Sequence, residues 1–309
     1  MKYIVTGGAG FIGSHIVGEL LHQQHDVLII DNLFSGTMEN IAPFLERKNA
    51  TFIQGSITDL PLLKTAFEGA DGIFHEGAIA SVPRSIKNPN ATNEANVTGT
   101  LNVVSAARDC GVPKIVFASS SSVYGDTPTL PKREDMPPNP QSPYAVSKLA
   151  GEYYLRVFSD LYDMKTISLR YFNVFGPRQD PKSDYAAVIP KFITKILKKE
   201  SPVVFGDGEQ TRDFTYVKDV VQVNIRAMES NVKGVFNIAY CQRISVNDLA
   251  RLIMEITGNV VPIIYQEQRP GDIRDSLADI TQAKNLLQYC PSYTVKTGLE
   301  ETIQWFQNQ

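Results

Sequence analysis

Residues 6–15 read Thr-Gly-Gly-Ala-Gly-Phe-Ile-Gly-Ser-His, and this stretch decides the fold. The apolar run Tyr3–Val5 stands before it, and a stretch of helical period, Gly13–His22, grows out of it. Strand, glycine turn and helix in that order put Gly7, Gly10 and Gly13 where amides at a helix N-terminus face an anion with no Cβ intervening. Short apolar runs recur at Val27–Ile30, Thr51–Ile53, Gly72–Phe74, Lys114–Phe117 and Thr166–Leu169, separated by helical patterns such as Asn93–Arg108. This alternation predicts an α/β protein with a doubly wound parallel sheet of Rossmann type. Beyond about residue 173 the pattern is less regular and richer in Pro, Gly and Arg. We therefore expect residues 1–173 to form a dinucleotide-binding domain, with some later segments returning to it. Residues 174–309 should form mainly a smaller C-terminal substrate-binding lobe over the sheet's C-terminal edge.

The chain has 309 residues, 43% of them hydrophobic, enough for a continuous core. Its 30 Lys and Arg against 33 Asp and Glu give no basic footprint, which argues against nucleic acid or acidic lipid as partner. Cys110, Cys241 and Cys290 form neither a disulfide framework nor a metal pair and read as small buried residues in a reducing compartment. The glycine loop follows MKYIV directly and no segment has the apolar length of a membrane span, so a cytoplasmic location is expected. On that reading the sequons at Asn49, Asn90 and Asn96 are chance matches. His75 ends the fourth strand; with His15, His22 and His25 scattered, it reads as structural, and no metal site is expected.

Asp31 follows the second strand, about 20 residues after the glycine loop, where a carboxylate accepts bonds from an adenosine ribose and repels a 2′-phosphate. NAD rather than NADP is thus the expected cofactor. A turn cap before Asn32 is the competing role for Asp31.

Tyr144 and Lys148 in SPYAVSKLAGEYY are four apart on a helical stretch and project from one face. Ser119, Ser120, Ser121 and Ser122 follow the strand Lys114–Phe117 and fall at the sheet's C-terminal edge. A neighbouring ammonium and a positive nicotinamide ring would favour the phenolate, making Tyr144 a candidate general base. Turn and cap formation accounts for two or three of the four serines.

TGGAGFIG, YAVSK, the serine run before VYG, RYFNVFGPR, RDFTYV and RPGD together resemble the extended short-chain dehydrogenase/reductase family, and more narrowly its UDP-sugar 4-epimerases. The resemblance spans nearly the whole chain. It implies that Tyr144 is the base, that Lys148 holds the nicotinamide ribose, and that Ser120, with Ser121 and Ser122 able to share the contact, bonds the reacting sugar oxygen. Cofactor contacts are implied at Gly7, Gly10, Phe11, Ile12, Gly13, Asp31, Asn32, Ser35, Gly36, Ser56, Ile57, Ala78, Tyr144 and Lys148. Ser56 stands where relatives often have Asp to meet the adenine amine, and a hydroxyl accepts that bond more weakly. Related dehydratases carry an Asp-Glu pair at the places of Ser121 and Ser122. Without those acids, an oxidised sugar has one simple fate, which is to take its hydride back.

For a UDP-sugar the resemblance puts Asn173, Arg212 and Arg269 at the pyrophosphate, Asp272 at the ribose or hinge, and Phe205 against uracil. Arg178 in GPRQ could join the pyrophosphate or pair with a surface carboxylate. Ser276 stands where epimerases restricted to unsubstituted hexoses resemble one another in having tyrosine, leaving space for an N-acetyl group. Ser81 of SVPRS, and Ala187 and Val188 of YAAVIP, look like epimerases that prefer UDP-N-acetylhexosamines. A homodimer through the helices around Asn93–Arg108 and Tyr144–Ser159 is implied as well. The competing readings are a UDP-glucuronate 4-epimerase and, in a different class, a non-catalytic NAD-sensing protein. Ser120, Tyr144 and Lys148 together argue against the last.

Overall fold

The computed structural model describes residues 1–181, 187–268 and 273–309. Among them the first six strands are β1 (Lys2–Thr6), β2 (Asp26–Asp31), β3 (Ala50–Gln54), β4 (Gly72–His75), β5 (Lys114–Ser120) and β6 (Lys165–Tyr171). Short strands follow: β7 (Val174–Phe175), β8 (Val203–Phe205), β9 (Thr211–Asp213), β10 (Thr215–Tyr216), β11 (Gly234–Ile238), β12 (Arg243–Ser245) and β13 (Ile264–Gln266). The first helices are α1 (Phe11–His22), α2 (Ala42–Leu45), α3 (Leu60–Ala66), α4 (Val82–Lys87), α5 (Pro89–Asn93), α6 (Gly99–Asp109) and α7 (Pro143–Tyr162). Then come α8 (Val188–Leu197), α9 (Val217–Glu229), α10 (Val246–Thr257), α11 (Thr281–Leu287) and α12 (Val295–Gln307).

Seven parallel strands form the main sheet in the order β11-β6-β5-β4-β1-β2-β3, with register pairs such as Thr6↔His75 and Ser120↔Tyr171. The order reverses between β1 and β4, which makes the sheet doubly wound and opens a crevice at the carboxyl ends of those strands. Both faces are covered, so the strands are continuous apolar runs rather than alternating ones. One face buries Val5, Ile16, Val17, Phe74 and Val223 under α1 and α9; the other buries Ile4, Ile73, Val103, Ile115 and Leu155 under α3, α6 and α7. The expected helix over Asn93–Arg108 is interrupted: residues Glu94–Thr98 make one wide π-turn before α6 begins.

A third core, with Phe192, Ile193, Ile196, Phe214, Leu249 and Ile253, gathers α8, α10 and α12 into a smaller lobe. β11, α9 and α11 lie with the first sheet although they follow residue 173. Phe11 and Ile12 at the start of α1 pack against the lobe's core, so the glycine loop's helix is also a lobe contact.

His75 has the structural role expected of it. Fully buried, it bonds Thr6 Oγ1 through Nδ1 (2.7 Å) and Thr100 Oγ1 through Nε2 (3.0 Å), and burial lowers its pKa from 6.5 to about 3. The folded ring stays neutral over a range where the unfolded ring takes a proton, so this group's contribution to stability is lost as pH falls below the unfolded value. We expect a slope of up to about 1.4 kcal/mol per pH unit below pH ~6.5, steeper in the wild type than in His75→Gln. Urea midpoints at pH 7 and pH 5 check this; parallel losses in the two proteins would refute it.

The cysteines depart from expectation: Cys110 and Cys241 are only partly buried and Cys290 is exposed. Asn96, one of the three sequons, is buried, and its side chain spans Ile79 and Ser147, leaving the amide no room for a sugar. No helix among the described residues is long and apolar enough to cross a membrane.

Candidate active site

The glycine loop is fixed by backbone contact. Gly7 has φ +69°, and a Cβ there would lie 2.6 Å from the Gly77 nitrogen; at Gly13 one would lie 2.3 Å from the Gly7 carbonyl oxygen. Side chains are excluded at both positions. Gly36 is held likewise, its hypothetical Cβ 2.7 Å from the Ala9 carbonyl carbon, so the ends of β1, β2 and β4 pack backbone to backbone. Gly10 caps α1 with no side-chain bond, which leaves the helix's first amides for an anion. This cradle fits the pyrophosphate of a dinucleotide.

Asp31 ends β2 beside the loop. Its Oδ2 accepts from the Ala9 amide (3.0 Å) and its Oδ1 from Leu33 (2.8 Å), so the turn-capping role is real and the carboxylate also ties the turn to the glycine loop. Burial raises its pKa against those amide bonds. Each oxygen keeps a further lone pair for a ribose hydroxyl. Asn32 caps the next turn through Phe34 N, and Ser35 is exposed beside it. Ser56 spends its hydroxyl on Thr58, accepting from the Thr58 amide (3.2 Å) and sharing a bond with its hydroxyl (2.8 Å). Ile57 packs on Gly77 and Gly99, one residue from Ala78. The loops after β2 and β4 meet where the Arg84 guanidinium lies 5.1 Å from the Phe34 ring centroid.

Ser120, Tyr144 and Lys148 come together at the C-terminal end of β5. Ser142 caps α7 by accepting from Ala145 N, which puts Tyr144 and Lys148 in the first turns of that helix. The Ser120 hydroxyl is close enough to the Tyr144 phenol to lower its pKa. Lys148 is buried, and its ammonium donates to the Ala118 carbonyl (2.7 Å) and lies 4.9 Å from the Phe117 ring centroid. Ser120 caps the tight turn Ser121–Tyr124, accepting from the amide (3.2 Å) and hydroxyl (2.9 Å) of Ser122. Ser119 points away and donates to Glu152.

Burial raises the Tyr144 phenol above its ordinary value and the Glu76 charge adds to that; the Ser120 hydroxyl beside it is what opposes them. The Lys148 ammonium is turned down to the Ala118 carbonyl, and burial lowers its own pKa.

In the lobe, Asn173 sits at positive φ (35°) and donates to the Asp213 carbonyl (3.0 Å) and to Ser276 Oγ (3.1 Å). Ser276 Oγ also accepts from the Asp213 amide (3.2 Å). Arg212 donates to the Thr211 and Arg274 carbonyls. Phe205 lines a small cleft with Gln210, Gln268, Ile273 and Arg274; Gln210 Nε2 donates to the Phe205 carbonyl (2.7 Å) and Arg274 pairs with Asp207 (3.0 Å). Ser81 caps α4 and Ala187 caps α8, with Val188 the first residue of that helix. Among the described residues Arg178 neither joins this group nor meets a carboxylate; it donates to the Ser14 carbonyl (3.0 Å) and stacks on Phe44. Arg269 and Asp272, with Tyr185 and Ala186 of the YAAVIP stretch, lie outside the described residues.

Sequence reasoning missed Glu76, which follows β4 and accepts from Tyr171 Oη (3.0 Å), itself bonded to Asn224. It also missed the buried pair of Arg170 and Glu152, joined by two bonds of 2.9 and 2.8 Å. An arginine inside the apolar run TISLRY was the available signal, since a buried guanidinium requires an acid. For Glu76 the signal was its place one residue past a strand's carboxyl end.

A dinucleotide cradle joined to a tyrosine, lysine and serine at one sheet edge defines a nicotinamide-dependent enzyme of the Rossmann class. Residues 3–239 match the NAD dependent epimerase/dehydratase family, and the chain belongs to it, with NAD as cofactor. It is 42% identical over 308 residues to a putative UDP-glucose 4-epimerase of Methanocaldococcus jannaschii, covering 99% of this chain and 98% of that one. The structure of UDP-N-acetylglucosamine 4-epimerase from Methanobrevibacter ruminantium M1, in complex with UDP-N-acetylmuramic acid, is 43% identical with a TM-score of 0.96, covering 99% and 98% of the two chains. UDP-glucose 4-epimerase of Thermotoga maritima, solved with UDP-glucose, is 39% identical with a TM-score of 0.96, covering 100% and 99%.

Proposed function

We propose that this chain catalyses reversible C4 epimerisation of UDP-hexoses through a 4-keto sugar, acting on the UDP-GlcNAc/UDP-GalNAc pair and also on UDP-glucose/UDP-galactose. The observation that carries the reading is the meeting of Ser120, at the end of β5, with Tyr144 and Lys148 in the first turns of α7, beside the glycine cradle. In this reading Tyr144 accepts the C4 hydroxyl proton, Ser120 orients the same oxygen, and Lys148 holds the nicotinamide ribose. Bound NAD supplies the hydride acceptor and, on return, the donor. Ser121 and Ser122 form a short turn and offer no carboxylate for elimination or decarboxylation, so the keto sugar turns over and is reduced on its other face. No net redox change results.

Asn173 and Arg212, with Arg269 and Asp272, are assigned to the diphosphate and ribose of the substrate, and Phe205 to uracil; a planar aromatic face beside polar Gln210 and Gln268 suits that base. Ser276, half-buried next to Asn173, is assigned to the space around the sugar's C2 substituent. We also infer a homodimer: Val146, Tyr153, Val157 and Leu161 are exposed at spacings that put them on one stripe of α7. The location assigned is the cytoplasm.

The test is an assay of the purified protein with UDP-GlcNAc, UDP-GalNAc, UDP-glucose, UDP-galactose and UDP-glucuronate, the products separated by epimer. Conversion of both acetylated sugars in both directions is expected. Conversion of UDP-glucuronate alone would replace this reading with the uronate one, and turnover of none would remove it.

A further inference from the structure

Lys148 is 3% exposed, and its ammonium has one hydrogen bond, to the neutral Ala118 carbonyl. An ammonium taken out of water loses its proton unless an opposite charge stands near it. Two carboxylates are close enough to act on it, Glu76 and Glu152. Glu152 acts on it less strongly and is committed elsewhere: it takes both bonds of the Arg170 fork and a bond from Ser119, so much of its charge is offset within its own buried pair. Glu76 has no such partner. In the β4–β5 register His75 faces Phe117, which puts Glu76 level with Ala118, the residue that holds Lys148. From there its side chain crosses the end of β5 to Tyr171 at the end of β6.

We propose that Glu76 is a positioning residue for the Tyr144–Lys148 pair: its carboxylate, held by Tyr171 across the end of the serine strand, is the counter-charge that keeps Lys148 an ammonium. The proposal rests on the epimerase reading given above for Tyr144 and Lys148. The titratable groups facing Glu76 are Lys148 and Tyr144 from α7 and Tyr171 from β6; the charges of Arg170 and Glu152 offset each other. His75, on its own strand, is buried and neutral. Burial raises the Glu76 carboxyl and lowers the Lys148 ammonium, while each charge favours the other's ionised form. Glu76 also acts on the phenol, raising it. Removing this charge therefore makes both Lys148 and Tyr144 lose their protons at lower pH.

Glu76→Gln tests this, because the amide oxygen still accepts from Tyr171 while the charge is gone. In protein loaded with NAD and carrying ε-13C-lysine, with the Lys148 resonance assigned from Lys148→Met, we expect the titration of Lys148 to move acid-ward by about one pH unit or more. The pH–rate profile for UDP-sugar epimerisation should move the same way on both limbs, and Glu76→Asp, which keeps the charge, should restore its position. A merely structural role would lower the profile without displacing it. An unmoved Lys148 titration in Glu76→Gln overturns the proposal. A displaced titration with an undisplaced rate profile upholds the pairing of Glu76 with Lys148 and overturns the assignment of Lys148 to the chemistry.

Discussion

Replacing Tyr144 with phenylalanine is expected to lower epimerisation turnover by roughly 10²-fold or more while leaving UDP-sugar affinity nearly unchanged. The ring is kept, so the packing of α7's first turn is kept; what disappears is one oxygen beside Ser120. Burial and the Glu76 charge raise the phenol, so in the proposed reading what binds would have to favour the phenolate. A positive nicotinamide ring is a charge of the required sign, and a substrate hydroxyl bonded by Ser120 lowers the demand on the phenolate. Steady-state rates and calorimetric binding of the UDP-sugar on the variant separate these contributions. Turnover near wild type would move the base to another residue.

Ser276→Tyr should cost the acetylated substrates about tenfold to a hundredfold, as overpacking of a formed pocket by 1–3 kcal/mol would. UDP-glucose and UDP-galactose should keep much of their activity, because a C2 hydroxyl needs less space than an acetamido group. Ser276 also accepts bonds from Asn173 and from the Asp213 amide, and a tyrosine gives up that acceptor. Ser276→Ala removes the same acceptor without adding volume, so the ratio between the two variants isolates the effect of size. Losses equal on both substrate pairs would mean damage to the Asn173 contact rather than filling of the sugar pocket. No loss on the acetylated pair would show that Ser276 does not border the sugar.

Much of the fold is legible in the sequence because its evidence is local. Gly7 and Gly13 are glycines for reasons of atomic contact within a few residues of the loop, or with the strand beside it, and the strand–turn–helix order announces them. The Tyr144–Lys148 spacing is likewise a property of one helix. Contacts that depend on register between distant segments are not legible. Glu76 reaches Tyr171 over a separation of 95 residues, and Asn173 meets Ser276 across 103. Arg178 sits in the same motif as Asn173, yet φ near +66° turns the chain there and sends its side chain to α1 instead. The four serines read alike in sequence and differ in the structure, since Ser119 is still in the pleat facing Glu152 while Ser120 begins a turn.

The chain passes between its two cores several times: out through α8 and β9, back through α9 and β11, out again through α10, back through α11, and out to α12. A lobe attached by one linker could swing as a hinged door, but one stitched on by several crossings is held like a patch sewn along its whole seam. The cleft between the sheet's edge and the lobe is therefore set when the protein folds. Cutting the chain at residue 173 would not yield two separable pieces either, because β11 would be torn from the edge of the sheet that β6 offers it.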